Sequence, residues 1–323
     1  MSDRGIEVEN LVKRYPGDVR AVDDVSFQVK GGSIFGFLGP NGAGKSTTIK
    51  ILTTLVLPTS GRAAVGGFDV ADYDDDVRRI TGVALQEIGI DPLMKATELL
   101  ELQARLFGSR RAEAQQRARE LLALVQLENA ADRRTGTFSG GMRRRLDLAL
   151  SLVHEPRILF LDEPTTGLDP ASRRDVWKEV QRLNQKLGIT IFLTTQYLEE
   201  ADALADRVAI IDAGKIAVEG APEALKASLG GESISLLFDA RDTAEQALSE
   251  LTGIGERLQL DRESVRLYIS QAAQAIPAVV NRLQQASIEP LSLTLTQPTL
   301  DDVFLQVTGQ RLAAGDSSPA QAA

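Results

Sequence analysis

The stretch Gly39-Pro40-Asn41-Gly42-Ala43-Gly44-Lys45-Ser46 decides the fold. A short apolar segment, residues 33–38, runs straight into it, and residues 47–57 follow with apolar positions at helical spacing before Pro58. Strand, glycine-rich loop and helix in that order read as a phosphate-binding loop. The glycines let successive backbone N–H groups face a triphosphate, and the helix start adds its positive end. Lys45 then reaches the β and γ phosphates, and the Ser46 hydroxyl is available to Mg²⁺.

Outward from the loop the pattern is α/β. Residues 6–14 and 22–29 alternate apolar and polar side chains around a turn at Pro16-Gly17-Asp18, as two strands of a small antiparallel sheet. Residues 79–86 contain another short strand. Residues 158–161, 190–194 and 208–211 are continuous apolar runs, the mark of strands buried on both faces of a parallel sheet. Two segments with helical periodicity, 96–107 and 112–127, form a helical block inserted in this pattern, and 139–153 is a further helix. The first domain is therefore expected over residues 1–222.

Gly and Pro residues at 220–231 read as a linker. Beyond it, residues 234–238, 244–251, 257–260, 265–269, 273–286 and 291–296 read as strand, helix, strand, strand, helix, strand. That order suits a ferredoxin-like α+β domain over 232–309. A last helix at 300–307 precedes a polar, Ala-rich tail, 310–323, expected to be disordered.

The chain of 323 residues, 43% apolar and 25% charged, is long enough for two cores. Its 45 acidic against 36 basic residues give a formal charge of -9, the wrong sign for a protein that neutralises nucleic-acid backbones. With no Cys, disulfides, thiolate metal sites and Cys nucleophiles are excluded; one His leaves little for a zinc site, and a metal, if present, is oxygen-ligated. The start, Met1-Ser2-Asp3-Arg4-Gly5, lacks an apolar leader, and no apolar run approaches the ~18 residues of a membrane span. A cytoplasmic protein is expected, unless a membrane partner holds it.

Two further stretches carry chemistry. Asp162 and Glu163 lie just past the carboxyl end of the strand at 158–161, where open α/β sheets bind ligands. Asp162 suits the Mg²⁺ shell and Glu163 the general base that polarises an attacking water, although acidic residues at strand ends also serve as plain turn formers. Ser139-Gly140-Gly141 opens a helix with a capping Ser and exposed backbone N–H groups, a second anion site.

The ordered set of motifs, over residues 6–219, resembles the ATP-binding cassette ATPases, which implies a P-loop nucleoside-triphosphatase fold and ATP with Mg²⁺ as cofactors. On that resemblance Gly39, Pro40, Asn41, Gly42, Ala43, Gly44, Lys45 and Ser46, with Thr47, are the Walker A loop, and Gln86 is the Q-loop glutamine beside Mg²⁺. Ser139, Gly140 and Gly141 are the signature motif, here Phe-Ser-Gly-Gly-Met. Asp162 and Glu163 close Walker B, and Gly167-Leu168-Asp169 is the D-loop. Tyr15 falls where the family stacks an aromatic on adenine, though a Tyr after a strand is also commonly surface. The resemblance further implies a head-to-tail homodimer sandwiching two ATP molecules, each between Walker A of one chain and the signature helix of the other.

The C-terminal extension, with Pro298-Thr299-Leu300-Asp301-Asp302-Val303-Phe304, is similar to the daunorubicin/doxorubicin-resistance type of exporter ATPase. That type implies a separate membrane permease subunit and a place at the cytoplasmic face of the membrane. One departure stands out: Gln196 occupies the position of the family's switch histidine. Glutamine there is shared with the drug-resistance subgroup; a regulatory cassette without turnover, or one associated with nucleic acid, is the competing reading. His154, ahead of Walker B, reads as structural, and Arg143-Arg144-Arg145 as a solvated helix face.

Overall fold

The computed structural model describes residues 5–17, 19–85, 89–229, 232–255, 257–269, 271–296 and 298–309. The chain divides into two units, Met1–Ala221 and Pro222–Ala323.

The first unit opens with strands β1 (Ile6–Tyr15) and β2 (Val19–Val29), followed by β3 (Ile34–Leu38), all five of whose residues are buried. The glycine loop then leads into helix α1 (Lys45–Leu52). Next come β4 (Ser60–Val65), β5 (Phe68–Asp69), α2 (Asp74–Ile80) and β6 (Thr81–Ala84). The helical block is α3 (Ala96–Leu106), α4 (Arg111–Leu124) and α5 (Gly140–Ser151). The chain returns to the sheet with β7 (Ile158–Asp162), α6 (Pro170–Leu187), β8 (Thr190–Thr195), α7 (Leu198–Leu204), β9 (Arg207–Asp212) and β10 (Lys215–Gly220).

These strands make two sheets. One is antiparallel, in the order β2-β1-β4-β5; the other runs β10-β9-β3-β8-β7-β6, parallel except where β10 pairs with β9. Phe27 of β2 packs on Phe35 and Phe37 of β3 and on Phe192 of β8, with ring centroids 5.4, 5.4 and 5.8 Å apart. Those rings fill the space between the two sheets, while Leu159, Leu161, Ile191 and Leu193 point to the opposite face and meet Leu146, Val176 and Val180 of the helices. Alternation along β7 and β8 thus supplies two cores from one sheet.

Helix α1 ends five residues earlier than the periodicity predicts. Thr54 takes a left-handed φ of 62°, and Leu55 and Leu57, which match the helical spacing, are 60% and 61% exposed.

The second unit consists of α8 (Pro222–Ser228), β11 (Ser233–Leu237), α9 (Arg241–Glu250), β12 (Arg257–Asp261), β13 (Ser264–Tyr268), α10 (Ala272–Gln285), β14 (Ser292–Thr296) and α11 (Leu300–Thr308). Its antiparallel sheet has the order β12-β13-β11-β14, the arrangement of a ferredoxin-like domain, over a core of Ile234, Leu236, Leu267, Val279 and Leu283. The segment expected as a linker is in part helix α8: Pro222 suits a first helical position and Leu225 is buried. Gly230, Gly231 and the tail 310–323 lie outside the described residues.

Candidate functional site

Strand β3 lies between β8 and β9, so the loop after Leu38 emerges at the carboxyl edge of the parallel sheet. Two of its glycines are there for lack of a side chain. A Cβ on Gly39 would sit 2.3 Å from the Ile211 carbonyl oxygen, and one on Gly44, whose φ is 112°, would sit 2.3 Å from that of Ala21. Gly44 is the N-cap of α1, so the helix begins at Lys45 itself. The Lys45 ammonium is 4% exposed and uses its three donors on the Gly39 carbonyl at 2.7 Å, the Pro40 carbonyl at 3.2 Å and Glu163 Oε1 at 3.3 Å. Burial pulls the Lys45 pKa down, and the charges of Glu163 and Asp162 oppose that fall.

A cavity of about 290 Å³ opens over this loop, lined by Pro40, Asn41, Gly42, Gly44, Lys45, Ser46, Thr47 and Glu163. Ala21 of β2 lines it too, a residue no sequence motif marks. A larger cavity of about 980 Å³ lies by Arg157, Ile158, Ile189 and Thr190, at the amino ends of β7 and β8. That is the wrong end for ligand binding by a parallel sheet, and the phosphate loop is not part of it.

The two carboxylates are held at the end of β7 by its neighbour β8, in which Thr194 is paired with Asp162. The Thr194 hydroxyl donates to Asp162 Oδ1 at 2.5 Å, and the Glu163 N–H donates to the Thr194 carbonyl at 3.0 Å. Glu163 takes a φ of 47°, a left-handed conformation that costs a non-glycine residue on the order of 1 to 3 kcal/mol. That turn sends its side chain to Lys45, while Oε2 accepts from the Thr166 hydroxyl at 3.2 Å. Thr194 and Thr166 were not singled out by sequence; a Thr closing an otherwise apolar strand was the available signal.

Residues from the other motifs stand apart from this cavity. Ser139 caps α5, its hydroxyl accepting from the Met142 N–H at 3.2 Å, and a Cβ on Gly140 would come within 2.9 Å of Leu168. Asp169 caps α6, accepting from the Ala171 and Ser172 N–H groups at 3.0 Å each. The hydroxyl and N–H of Ser172 hold its carboxyl below the usual range. Arg173 donates to the Leu168 carbonyl at 3.0 Å and lies 4.3 Å over the Tyr197 ring, joining the D-loop to the segment that carries Gln196. Gln196 itself is half-buried at the carboxyl end of β8. Tyr15, at the end of β1, has Lys13 Nζ 5.3 Å from its ring centroid. None of Tyr15, Ser139, Gly140, Gly141, Asp169 and Gln196 is among the described residues lining the cavity, and Gln86 lies outside the described residues.

One expectation is corrected. Arg144 is not on a solvated face: it is 2% exposed, pairs with Asp147 at 2.8 Å and donates to the Leu85 carbonyl at 2.8 Å. Helical spacing places it in line with Leu148 and Ser151, both buried, which is the signal that three adjacent arginines obscured. His154 stacks on Phe107 at 4.1 Å with Nε2 2.9 Å from the Thr81 carbonyl, as expected of a structural residue.

Among the described residues no cluster of His, Cys, Asp and Glu could hold a metal alone. The Ser46 hydroxyl, exposed in the first turn of α1, and the Asp162 carboxylate, with Oδ2 not taken by Thr194, are hard oxygen donors that fit Mg²⁺ completed by phosphate and water.

A phosphate loop on a parallel sheet, with a buried Asp-Glu pair one strand removed, defines a P-loop nucleoside triphosphatase. The family model described as ABC transporter matches residues 22–166, and that of the DrrA1-3-like ATP-binding protein, C-terminal domain, matches residues 220–308. The daunorubicin/doxorubicin resistance ATP-binding protein DrrA of Streptomyces peucetius is 46% identical over 99% of this chain and 96% of its own length. The linearmycin resistance ATP-binding protein LnrL of Bacillus subtilis is 36% identical over 95% of this chain and 99% of its own. Among solved structures, cbiO1 from Clostridium perfringens, part of the ABC transporter complex cbiONQ, superposes with a TM-score of 0.66 at 27% identity, covering 71% of this chain and 92% of that one. The dimeric, post-hydrolysis ATP-binding cassette MJ0796, bound to ADP and Pi, gives a TM-score of 0.60 at 28% identity, covering 67% and 98%. The chain belongs to the ABC transporter family, as an ATP-binding subunit that hydrolyses ATP.

Proposed function

We propose that the chain powers the export of hydrophobic, drug-like compounds through a separate integral membrane permease, as a homodimer at the cytoplasmic face of the membrane. The observation that carries the chemical part is the meeting of Lys45 and Glu163 at 3.3 Å over the phosphate loop. A cation for phosphate and a base for water converge on one small cavity. Export is supported by relatives named for drug resistance that align along nearly the whole chain, C-terminal unit included. Among the described residues no helix is long and apolar enough to cross a membrane, so the reading assigns the path to a partner. The unit from Pro222 onward is read as an accessory, regulatory domain.

In this reading the N–H groups of residues 42–46 and Lys45 hold the triphosphate, and Tyr15 stacks on adenine. Ser46 and Asp162, joined by Gln86 on the family resemblance, would hold Mg²⁺, which would supply charge neutralisation on the phosphate oxygens. Glu163 accepts the proton of the attacking water, and the Gln196 amide donates to the γ-phosphate. Ser139, Gly140, Gly141 and Asp169 act on the site of a second copy, because two helix N-termini facing one triphosphate offset more of its charge than one. The test is ATP-dependent accumulation of an anthracycline in inverted vesicles holding this chain and its co-purified membrane subunit. Wild type should accumulate the compound and Glu163→Gln should not; equal accumulation by both overturns the proposal.

A further inference from the structure

Arg144 sits where three parts of the first unit meet. It belongs to α5, the helix opened by Ser139. Its Nη1 donates to the carbonyl of Leu85, the residue immediately before Gln86, and to Asp147 Oδ2, each at 2.8 Å. Its Nη2 lies 3.5 Å from the carbonyl oxygen of Asp162, at the end of β7 and one residue before Glu163. The side chain is 2% exposed, and Nε is buried with no partner among the described residues. A second buried charge faces it from α7: Glu200 is 0% exposed and accepts from Trp177 Nε1 of α6 at 2.9 Å, and its charge and that of Asp162 act on the guanidinium along with Asp147's.

A buried guanidinium is costly to keep, and an ion pair alone is seldom the reason, since apolar residues of similar volume often serve stability as well. What an apolar pair cannot do is donate at once to the Leu85 carbonyl, just past β6, and to the Asp162 carbonyl at the end of β7. The planar fork of arginine fixes the angle between those contacts, whereas the ammonium of lysine does not.

We infer that Arg144 is a positioning residue for hydrolysis: its guanidinium ties the backbone entering the Q-loop to the backbone carbonyl of Asp162, and so fixes where β7 presents Glu163. This rests on the reading of Glu163 as the base. The step itself involves no bond made or broken at Arg144. The requirement is geometric, and misplacing a base by a fraction of an ångström lowers the rate of the chemical step without loosening the phosphate loop.

The experiment is steady-state phosphate release against ATP concentration for the full chain, with thermal unfolding of each variant. Arg144→Lys keeps the charge beside Asp147 but loses the fork. The double variant Arg144→Met with Asp147→Leu removes both charges, so that neither is left buried alone. Asp147→Asn keeps the two carbonyl contacts. Loss of a hydrogen bond from a charged group translates to roughly 10- to 100-fold in rate. Arg144→Lys and the double variant should lose kcat by about that factor, with KM for ATP within about threefold of wild type, while Asp147→Asn stays within about threefold in kcat. Wild-type turnover in Arg144→Lys overturns the inference. So does a fall in Asp147→Asn as deep as in Arg144→Lys, or a KM that rises as kcat falls. Glu163→Gln, assayed beside them, tests the underlying reading separately: if it turns over ATP like wild type, the base is misassigned whatever Arg144 does.

Discussion

Replacing Glu163 by Gln tests the centre of the site, and the structure sets what should change. Gln keeps an oxygen for the Thr166 hydroxyl, now at 3.2 Å from Oε2, and leaves the backbone bonds to Thr194 in place. It removes the charge that faces Lys45 at 3.3 Å. Lys45 keeps its bonds to the Gly39 and Pro40 carbonyls, so the stability cost should fall below the ~3 to 5 kcal/mol of a buried ion stripped of its only partner. Burial already lowers the Lys45 pKa and Glu163 opposes that, so the variant should lower it further. A phosphate ligand restores the opposing charge, and ATP binding should therefore survive. The rate should not: a lost general base costs ~10² to 10⁴, or roughly 3 to 5 kcal/mol of barrier. Phosphate release at saturating ATP, with equilibrium binding of a fluorescent ATP analogue, measures both halves. Hydrolysis within tenfold of wild type, with binding intact, would refute the assignment of the base.

Three further outcomes are expected. Gln196→Ala, which on the proposed function removes a donor to charged phosphate, should lower phosphate release by roughly one to two decades, and Gln196→His should be tolerated; equal rates for wild type and Gln196→Ala would remove Gln196 from the reaction. A chain ending after Ala221 should still bind ATP, because every residue lining the phosphate-loop cavity lies in the first unit, and isothermal titration of the truncated protein checks this. Burial pushes the Asp147 carboxyl up to about 6 against the pull of Arg144, so the folded state holds a proton there that the unfolded chain gives up near pH 4. Stability from this group should fall as pH rises from about 4 to about 6 and level off above, and denaturant titrations of Asp147→Asn should lack that slope.

The parts of the fold that were legible are those whose local sequence admits one structure. The run from residue 33 through Ser46 needs a strand to enter and a helix to leave, and it has both. The C-terminal unit declares its order through alternation in each short strand. Helix α6 went unread because its buried face is only Val176, Glu179, Val180 and Leu183 within eighteen mostly polar residues. Strand β4 carries Gly61 and Arg62 and acquires its order from pairing with β1, from Val12 opposite Ser60 to Ile6 opposite Val65, a contact far outside any local window. Arg144 was missed for the opposite reason: its composition is that of a surface, and only tertiary contact with Leu85 and Asp162 determines that one arginine of three turns inward.

The order of the strands explains how motifs so far apart in sequence come to one edge of the sheet. β8 lies between β3 and β7, with Leu38 paired to Thr195 and Asp162 to Thr194. The residues that come next, Gly39, Gln196 and Glu163, therefore leave the sheet side by side at one edge. In the proposed function, no side chain has to reach across a domain for the phosphate loop, Gln196 and Glu163 to share one edge of the sheet, because parallel pairing in register brings three strand ends together. The same edge leaves little freedom: shifting β8 by one residue along β7 would take Thr194 away from both Asp162 Oδ1 and the Glu163 N–H. Thr194→Val, which keeps shape and removes the hydroxyl, isolates that dependence. It should leave the sheet intact and lower turnover through Asp162, whose Oδ1 then loses its bond from Thr194, rather than through the phosphate loop, whose contacts do not involve Thr194.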